Sequence, residues 1–301
     1  MKSVLVLLST YNGEQYLVQQ LNSIENQTGV KVHCLIRDDG STDGTLNILE
    51  SYCKNRSNFT LIRGDNIGVI NSFNELLTNS MVNQYEWFAF CDQDDEWKPD
   101  KLINAIKMLE RYNDSSPNVY CSNLTLVDRN SKYLGMMRNS RPSFDKYTAL
   151  VQNCATGCTE VFNKAAVELY LKATGKRMEM HDYWMFLIAV YFGNLIYDDN
   201  SYIKYRQHDS NVVGAHKRTV RGFIYNIRKK QRDKRADMLI DFFETYNFLL
   251  SNDDKKIIQD LLNCRNNKRS RIRVIANKKY HGYTSKNTLA FRFRVILGII
   301  H

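Results

Sequence analysis

The sequence predicts an α/β fold in which helices flank a mostly parallel central sheet, with a basic helical region following at the C-terminus. Two observations predict it. Short apolar runs alternate with amphipathic stretches up to about residue 112, and lysine and arginine are concentrated after residue 215. The chain has 301 residues, 43% of them hydrophobic, which is enough for one large core and a smaller helical part.

Four predicted strands are each followed by a predicted helix. The pairs are VLVLLS with residues 14–27, VHCLIR with 42–54, FTLIR with 67–80, and EWFAFC with 99–112. Alternation of this kind gives parallel strands joined by right-handed crossovers. The C-terminal ends of the strands should therefore share one edge of the sheet, where open α/β sheets bind their ligands.

A second half of the main domain is predicted over about residues 116–215. The run NVYCSNLTLVD and residues 202–207 have strand-like composition, and residues 182–192 are apolar over the length of a helix. The first half then covers about residues 1–115.

Charge marks the end of this domain. Residues 216–301 contain 21 Lys and Arg against 7 Asp and Glu, whereas residues 1–215 contain 21 against 25. We therefore predict one main domain over 1–215 and a basic helical region over 216–301. The basic region interleaves cations with apolar residues, which suits an anionic membrane surface. A solvated helical face is the alternative, and nucleic-acid binding is not expected.

The termini and the cysteines restrict the class of protein. The opening MKSVLVLLSTYNGE lacks a small-residue cleavage site and is predicted to be a buried first strand, and no apolar run is long enough to span a bilayer. The seven scattered cysteines favour packed thiols in a reducing cytoplasm. A metal site or disulfide at Cys154 and Cys158 is the alternative.

Polar clusters follow the first four predicted strands and should form one pocket. They are Ser9–Glu14 (STYNGE), Asp38–Ser41 (DDGS), Gly64–Asn66 (GDN) and Asp92–Asp95 (DQDD). In the second cluster, Gly40 permits a tight turn. One of Asp38 and Asp39 is then expected to hydrogen-bond a ligand.

The fourth cluster predicts a metal site. Three carboxylates within four positions repel one another unless a cation or protons intervene. Hard oxygen ligands suit Mg²⁺ or Mn²⁺, and such an ion also binds a diphosphate. The alternative is an acidic turn that caps the helix beginning near Pro99, a role open to Asp95.

In this order and spacing, STYNGEQYL, RDDGSTDGT, DNIGVINSF and FCDQDDEW resemble the nucleotide-sugar half of family 2 glycosyltransferases of the GT-A fold. The resemblance continues through TGCTEVFNK, MHDYW and YRQHDSNVVG and covers roughly residues 1–214. It implies an inverting transferase that uses a nucleotide-sugar donor and a divalent metal. Asp92-Gln93-Asp94 would be its DxD-type motif.

The resemblance also implies roles for individual residues. Asp94 would be the direct metal ligand, with Asp92 beside it. The residues themselves suggest that either Arg206 or His208 meets the diphosphate, or that a neutral His208 imidazole completes the metal shell. Asp39 would accept a hydrogen bond from the NH of a uracil or thymine base. The full set expected to bind the donor is Thr10, Tyr11, Asn12, Glu14, Asp39, Asn66, Asp92 and Gln93.

Asp182 is the predicted general base. Inversion by single displacement needs a group that removes the proton of the acceptor hydroxyl, and Asp182 falls where the family carries its catalytic carboxylate. An N-cap for the following apolar helix is the alternative. Gly157, His181 and Trp184 are expected to contact the acceptor, although a turn, a structural histidine and aromatic packing explain them equally well.

The motif variants look most like the rhamnosyltransferase-type branch, so the expected donor is dTDP-L-rhamnose or a UDP-hexose. The expected acceptor is a glycan or a lipid-diphosphate-linked sugar in cell-surface polysaccharide synthesis, at the inner face of the plasma membrane. Two alternatives stand beside this hypothesis. One is a catalytically silent nucleotide-sugar or carbohydrate-binding module, and the other is a sugar nucleotidyltransferase. The loop STYNGEQYL has no Lys or Arg, which counts against the second.

Overall fold

The structure is a computed structural model that describes residues 1–208 and 234–299. Within this part of the chain, nine strands form one sheet that is flanked by helices, so the predicted α/β class is confirmed. The strands are β1 (Lys2–Thr10), β2 (Val30–Asp39), β3 (Phe59–Gly64), β4 (Trp87–Cys91), β5 (Glu96–Trp97), β6 (Asn118–Val127), β7 (Tyr133–Met136), β8 (Val161–Asn163) and β9 (Asn194–Arg206).

The helices lie between and after these strands. They are α1 (Leu17–Glu25), α2 (Thr45–Cys53), α3 (Val69–Thr78), α4 (Lys101–Leu109), α5 (Lys146–Val151), α6 (Lys164–Leu171), α7 (His181–Phe192), α8 (Lys234–Tyr246), α9 (Asn252–Asn263), α10 (Lys268–Ala276) and α11 (Ser285–Leu297). Two short 3₁₀ helices cover Ser80–Gln84 and Gly157–Thr159. None of the described helices is both long and apolar enough to cross a bilayer.

The sheet is mixed, whereas a mostly parallel sheet was expected. Its order is β3-β2-β1-β4-β8-β6-β9-β5, with β7 on the side of β6. The first four strands are parallel as predicted, but β8 runs antiparallel to both β4 and β6. The reversal comes from a strand of three residues, which is too short to show a period in the sequence.

Strand β1 shows why the first half folds as a doubly covered sheet. Val4, Val6 and Leu8 contribute to the core on one face, and Leu5 and Leu7 to the core on the other, all with no exposed surface. A strand buried on both faces has a continuous apolar run, as VLVLL does. Its polar C-terminal end is thereby left at the edge of the sheet.

The C-terminal helices pack into the main core. Phe242 and Tyr246 of α8 contact Trp184 of α7, and Asp254 of α9 forms an ion pair with Lys146 of α5 at 2.7 Å. The predicted boundary near residue 215 lies outside the described residues, as does most of the first basic stretch. All seven cysteines are free and six are buried, as expected of packed thiols, and Cys158 also lies beside Asp92 and Asp95.

Candidate active site

The loops after β1 and β2 are tied together by side chains. Thr10 Oγ1 donates to Asp38 Oδ1 at 3.1 Å, and the Asn12 N–H donates to Ser41 Oγ at 3.0 Å. Asn12 Oδ1 in turn accepts from the Thr42 N–H at 2.8 Å. Asn12 has a φ of 47°, a left-handed conformation that asparagine tolerates better than most residues. These bonds form one wall of the site.

Two more contacts extend this wall. Glu14 Oε2 accepts from the Gly44 N–H at 2.6 Å, and a Cβ at Gly44 would lie only 2.5 Å from the same oxygen. The backbone of Tyr11 exchanges two hydrogen bonds with the side-chain amide of Gln93, at 2.8 and 3.0 Å. The structure therefore brings the predicted donor residues of the first and fourth loops together, with the Tyr11 ring exposed at the rim.

Asp39 is buried, and both of its carboxylate oxygens have protein partners. Oδ1 accepts from the Ile67 N–H and Oδ2 from the Gly68 N–H, both at 2.9 Å, and Arg37 forms an ion pair with Oδ1 at 2.5 Å. These contacts hold the start of α3. The predicted contact with a nucleobase NH would have to be made beside them, and it stays a prediction.

Asn66 lies on the exposed side of the third loop. A Cβ at Gly40, whose φ is 74°, would lie 2.8 Å from the Asn66 backbone nitrogen. Glycine is therefore needed at position 40 both for its backbone conformation and for the close approach of these two loops.

The predicted metal ligands are close to one another and to the predicted base. Asp94 Oδ2 lies 2.7 Å from His208 Nε2. Burial, and then the negative charges of Asp94 and Asp182, raise the pKa of the Asp92 carboxyl to about 7. A raised pKa of this origin means that negative charge at Asp92 lacks compensation among its protein neighbours. This donor set of carboxylates and an imidazole fits a divalent cation.

A second group of possible ligands overlaps this set. Oxygen atoms of Asp92 and Asp95 and the Cys158 sulfur lie within 4.8 Å of one another. Lys101 is buried nearby, and its pKa is lowered to about 8, first by burial, with the charges of Cys158 and Asp95 acting in the opposite direction. Lys101 already supplies a positive charge on the buried side of this acidic cluster. A metal ion therefore fits better on the side where Asp92 and Asp94 lie.

Asp95 does not cap a helix, contrary to one of the sequence alternatives. Helix α4 begins at Lys101, six positions after Asp95, and Asp100 directly precedes it as the cap residue. Asp95 is instead fully buried and accepts from the Arg206 N–H at 3.1 Å through Oδ1. Burial, followed by the charges of Asp94 and Asp92, raises its pKa well above the usual range.

Arg206 supports the acidic loop from the end of β9. Its Nε donates to the Asp94 carbonyl at 3.0 Å, its Nη2 donates to Gln19 Oε1 at 2.8 Å, and its guanidinium lies 4.5 Å from the centre of the Tyr16 ring. It is 1% exposed. The expectation that Arg206 meets the diphosphate is therefore wrong for this conformation, because the protein itself engages these donors. The sequence showed no sign of this role.

Asp182 lies on the first turn of α7 and faces Gly157. The Gly157 N–H donates to Asp182 Oδ2 at 3.0 Å, while Oδ1 has no hydrogen-bond partner among the described residues. Burial raises the pKa of this carboxyl to about 6, and the backbone N–H of Gly157 acts in the opposite direction. Met180 precedes the helix as its cap residue, so Asp182 is not the N-cap.

His181 lies beneath the site and is 3% exposed. Its ring stacks on Phe73 at 3.8 Å and meets Phe90 edge-on at 4.7 Å, and burial lowers its pKa to about 3. It is therefore neutral and part of the core, so the predicted acceptor contact is corrected to a structural role. A Cβ at Gly157 would lie 3.1 Å from the Asp182 Cβ and 3.3 Å from His181 Nε2. Glycine here lets the turn approach Asp182 closely.

Trp184 is not an acceptor residue, which corrects the prediction. It has no exposed surface, its Nε1 donates to the Tyr246 hydroxyl at 3.0 Å, and its ring meets Phe242 at 5.4 Å. The helix YWMFLIAVYF is apolar all round, so its sequence does not show which side faces the cleft.

Glu160 is a buried carboxyl that the sequence reasoning missed. It has no exposed surface, and neither of its oxygens has a hydrogen-bond partner within the described ranges. Burial, and then the charge of Asp182, raise its pKa well above the usual range, so its neutral form is favoured. The only signal was an acidic residue next to the short apolar run that forms β8.

Comparison with known proteins identifies the family. Residues 5–170, more than half of the chain, match the model of glycosyl transferase family 2. The chain belongs to this family.

Relatives agree with that assignment. The dTDP-rhamnosyl transferase RfbG of Shigella flexneri is 32% identical over 219 residues, which are 69% of this chain and 74% of RfbG. The putative teichuronic acid biosynthesis glycosyltransferase TuaG of Bacillus subtilis is 34% identical over 110 residues, covering 36% of this chain and 42% of TuaG.

Solved structures show that the fold is shared. A structure of S. aureus TarS residues 1–349 has a TM-score of 0.53 at 19% identity and covers 93% of this chain and 89% of that one. The same region of TarS in complex with UDP-GlcNAc has a TM-score of 0.50 at 16% identity, with the same coverage. This family 2 protein is therefore a glycosyltransferase of α/β fold. Asp182 and His208 lie beyond the matched residues 5–170.

Proposed function

We propose that this glycosyltransferase moves a sugar with inversion from a nucleoside diphosphate donor to an acceptor hydroxyl, with Asp182 as the general base. The observation that supports the proposal is the cluster formed by Asp92, Asp94 and Asp182. The charges of the other two both raise the pKa of Asp92, so the three carboxylates share one site. Acidic groups for the leaving diphosphate and for the acceptor would then lie close to one another.

The donor would lie along the wall formed by the first, second and fourth loops. Thr10, Asn12 and Glu14 are held there by bonds to neighbouring loops, so a nucleoside meets a surface that needs little reorganisation. Asp92, Asp94 and His208 would hold Mg²⁺ or Mn²⁺. When bound, the metal supplies positive charge that stabilises the departing diphosphate.

Asp182 is arranged to take up one proton. Oδ2 is held by the Gly157 N–H, and Oδ1, which is buried and has no hydrogen-bond partner among the described residues, would accept the proton of the acceptor hydroxyl. The acceptor oxygen forms a bond to the anomeric carbon as the bond from that carbon to the diphosphate oxygen breaks, and the hydroxyl proton passes to Oδ1. A carboxyl with a pKa of about 6 is ionised at pH 7 and is a stronger base than an ordinary aspartate.

The relatives support finer proposals. The name of RfbG supports dTDP-L-rhamnose as the donor, and the UDP-GlcNAc complex of TarS supports a UDP-hexose as the second candidate. The name of TuaG supports a role in cell-surface polysaccharide synthesis, with a glycan or lipid-diphosphate-linked acceptor. We place the enzyme in the cytoplasm at the inner face of the plasma membrane. We assign donor binding to about 1–115, acceptor binding to about 116–215 and membrane contact to 216–301.

Asp182→Asn tests the assignment of the base. We expect turnover with Mn²⁺ to fall about 10²- to 10⁴-fold while binding of the nucleotide-sugar donor is retained. Asp199→Asn is the matched control, because the Asp199 side chain is 66% exposed and should leave turnover unchanged. Full turnover in Asp182→Asn would remove the base assignment. Donor binding without turnover in the unaltered chain, over a panel of donors and acceptors, would instead indicate a silent binding module.

A further inference from the structure

Helix α11 has two apolar faces. Phe291 and Val295 are 4% and 0% exposed and pack into the core. On the opposite side, Leu289 is 70%, Ile296 54% and Leu297 43% exposed. A helix packed on a globular body needs only one apolar stripe, and packing among residues 1–208 and 234–299 does not account for the second.

The exposed stripe is continuous. It comprises Leu289, Phe293, Ile296 and Leu297, at the i, i+4, i+7 and i+8 spacing of one helical face. We call it the outer face of α11. Successive residues of a helix are rotated by about 100° around its axis. Lys286 therefore lies on this face one turn earlier, and Arg292 and Arg294 lie on its two flanks. Apolar residues are thus bordered by cations on both sides.

The surrounding charge has a single sign. Residues 265–299 contain ten Lys and Arg and no Asp or Glu. Among them Lys268, Arg269 and Lys286 are exposed. A large exposed apolar stripe that is surrounded by positive charge fits a partner with an apolar interior and an anionic surface.

The helix is held firmly on the body of the protein. At its start, Asn287 Nδ2 donates to Gln152 Oε1 at 2.5 Å, and near its end Arg271 Nη1 donates to the Ile296 carbonyl at 3.1 Å. Gln152 directly follows α5 and lies five residues before Gly157 of the proposed acceptor site. The outer face is therefore fixed relative to the segment that leads to the base.

We propose that the outer face of α11 is the membrane-docking element, and that it lies in the plane of an anionic bilayer with its leucine and isoleucine side chains in the acyl region. The inference rests on the proposed location at the inner membrane face and assigns that contact to one helix. A second copy of the chain is the less favourable occupant. A two-fold contact through this face would bring the same cations against one another.

Vesicle flotation tests the assignment. The full chain is mixed with vesicles of phosphatidylglycerol and phosphatidylcholine in equal parts, and the bound fraction is compared with that of Leu289→Glu/Ile296→Glu. We expect on the order of 100-fold weaker binding for this variant, because two apolar side chains no longer enter the bilayer. Leu134→Glu/Phe248→Glu is the matched control, since Leu134 and Phe248 are 55% and 70% exposed elsewhere on the surface. It should float like the unaltered chain, and both variants should hydrolyse donor in solution at the unaltered rate.

The outcomes separate this inference from the proposed function. Equal flotation of both double variants would overturn the role of α11 and leave the membrane location standing. No flotation of the unaltered chain would overturn both membrane claims, while donor hydrolysis would still report on the transferase. A concentration-dependent dimer that Leu289→Glu/Ile296→Glu abolishes, without flotation, would show that a second copy covers the outer face.

Discussion

At the scale of single residues, the two oxygens of Asp182 differ in their environment. One is held by the Gly157 N–H, and the other has no hydrogen-bond partner within the described residues. Burial favours the neutral form of the carboxyl, which is why its pKa is raised to about 6. This position is suited to accepting a proton from a bound hydroxyl.

The first prediction concerns the pH dependence of the reaction. The base must be ionised, so kcat/KM should be low below the pKa of Asp182 and rise with pH through about 6 to a plateau. The measurement is a pH profile with saturating Mn²⁺ at constant ionic strength. A flat profile between about pH 5 and 8 would contradict the role of Asp182 as the rate-determining base.

The second prediction concerns Glu160. Its pKa is raised in the folded state, so the folded chain keeps the proton while the unfolded chain loses it above pH 4.5. The native protein should therefore lose stability as pH rises, by up to about 1.4 kcal/mol per pH unit. Glu160→Gln should unfold at higher urea concentration than the native chain at pH 8, with the difference shrinking toward pH 5. A difference that does not change with pH would rule out this account.

At the scale of elements, the end of β9 holds the acidic loop after β4. Arg206 donates to the Asp94 carbonyl and, through its backbone N–H, to Asp95, and His208 meets Asp94 at 2.7 Å. The two segments are more than 100 positions apart in the chain. The position of the carboxylates that we propose as metal ligands is therefore set by a distant strand.

Arg206→Lys tests this support. Lysine keeps the charge but cannot donate from Nε and Nη2 in the same geometry, so the loop should shift and Mn²⁺ affinity should fall about 10- to 100-fold. Titration of Mn²⁺ against donor turnover gives the affinity. Arg273→Lys is the control, because the Arg273 side chain is 59% exposed and far from this loop in the chain. Unchanged Mn²⁺ affinity in Arg206→Lys would show that β9 does not position the ligands.

The same elements show what the sequence could reveal. The first four strand and loop units were predicted because each has a local signature, an apolar run followed by polar turn residues. The direction of β8, the buried position of Trp184 and the support from Arg206 were not. Each depends on contacts between distant segments, and local pattern does not encode which side of an all-apolar helix faces the core.

At the scale of the whole molecule, the sheet and the C-terminal helices share one core. Tyr246 of α8 accepts from Trp184 Nε1, donates to the Leu169 carbonyl at 2.9 Å and has no exposed surface. The predicted basic region is therefore in contact with the domain that bears the proposed base. Unfolding of one part should remove packing from the other.

Tyr246→Ala tests that coupling. We expect a single unfolding transition at lower urea concentration, with a loss of about 3 kcal/mol, because a large buried side chain and its hydrogen bonds are removed. Phe248→Ala is the control, since Phe248 is 70% exposed and should change stability by less than about 0.5 kcal/mol. Two separate transitions, with only the smaller one shifted, would show that the C-terminal helices fold independently.

The most direct test of the account is the position of manganese in a crystal grown with Mn²⁺ and a nucleoside diphosphate. We expect one anomalous peak about 2.1 to 2.2 Å from a carboxylate oxygen of Asp94, adjacent to Asp92 and to the diphosphate, with Asp182 in the same cleft. A manganese ion bound elsewhere, with these carboxylates remote from the diphosphate, would contradict it.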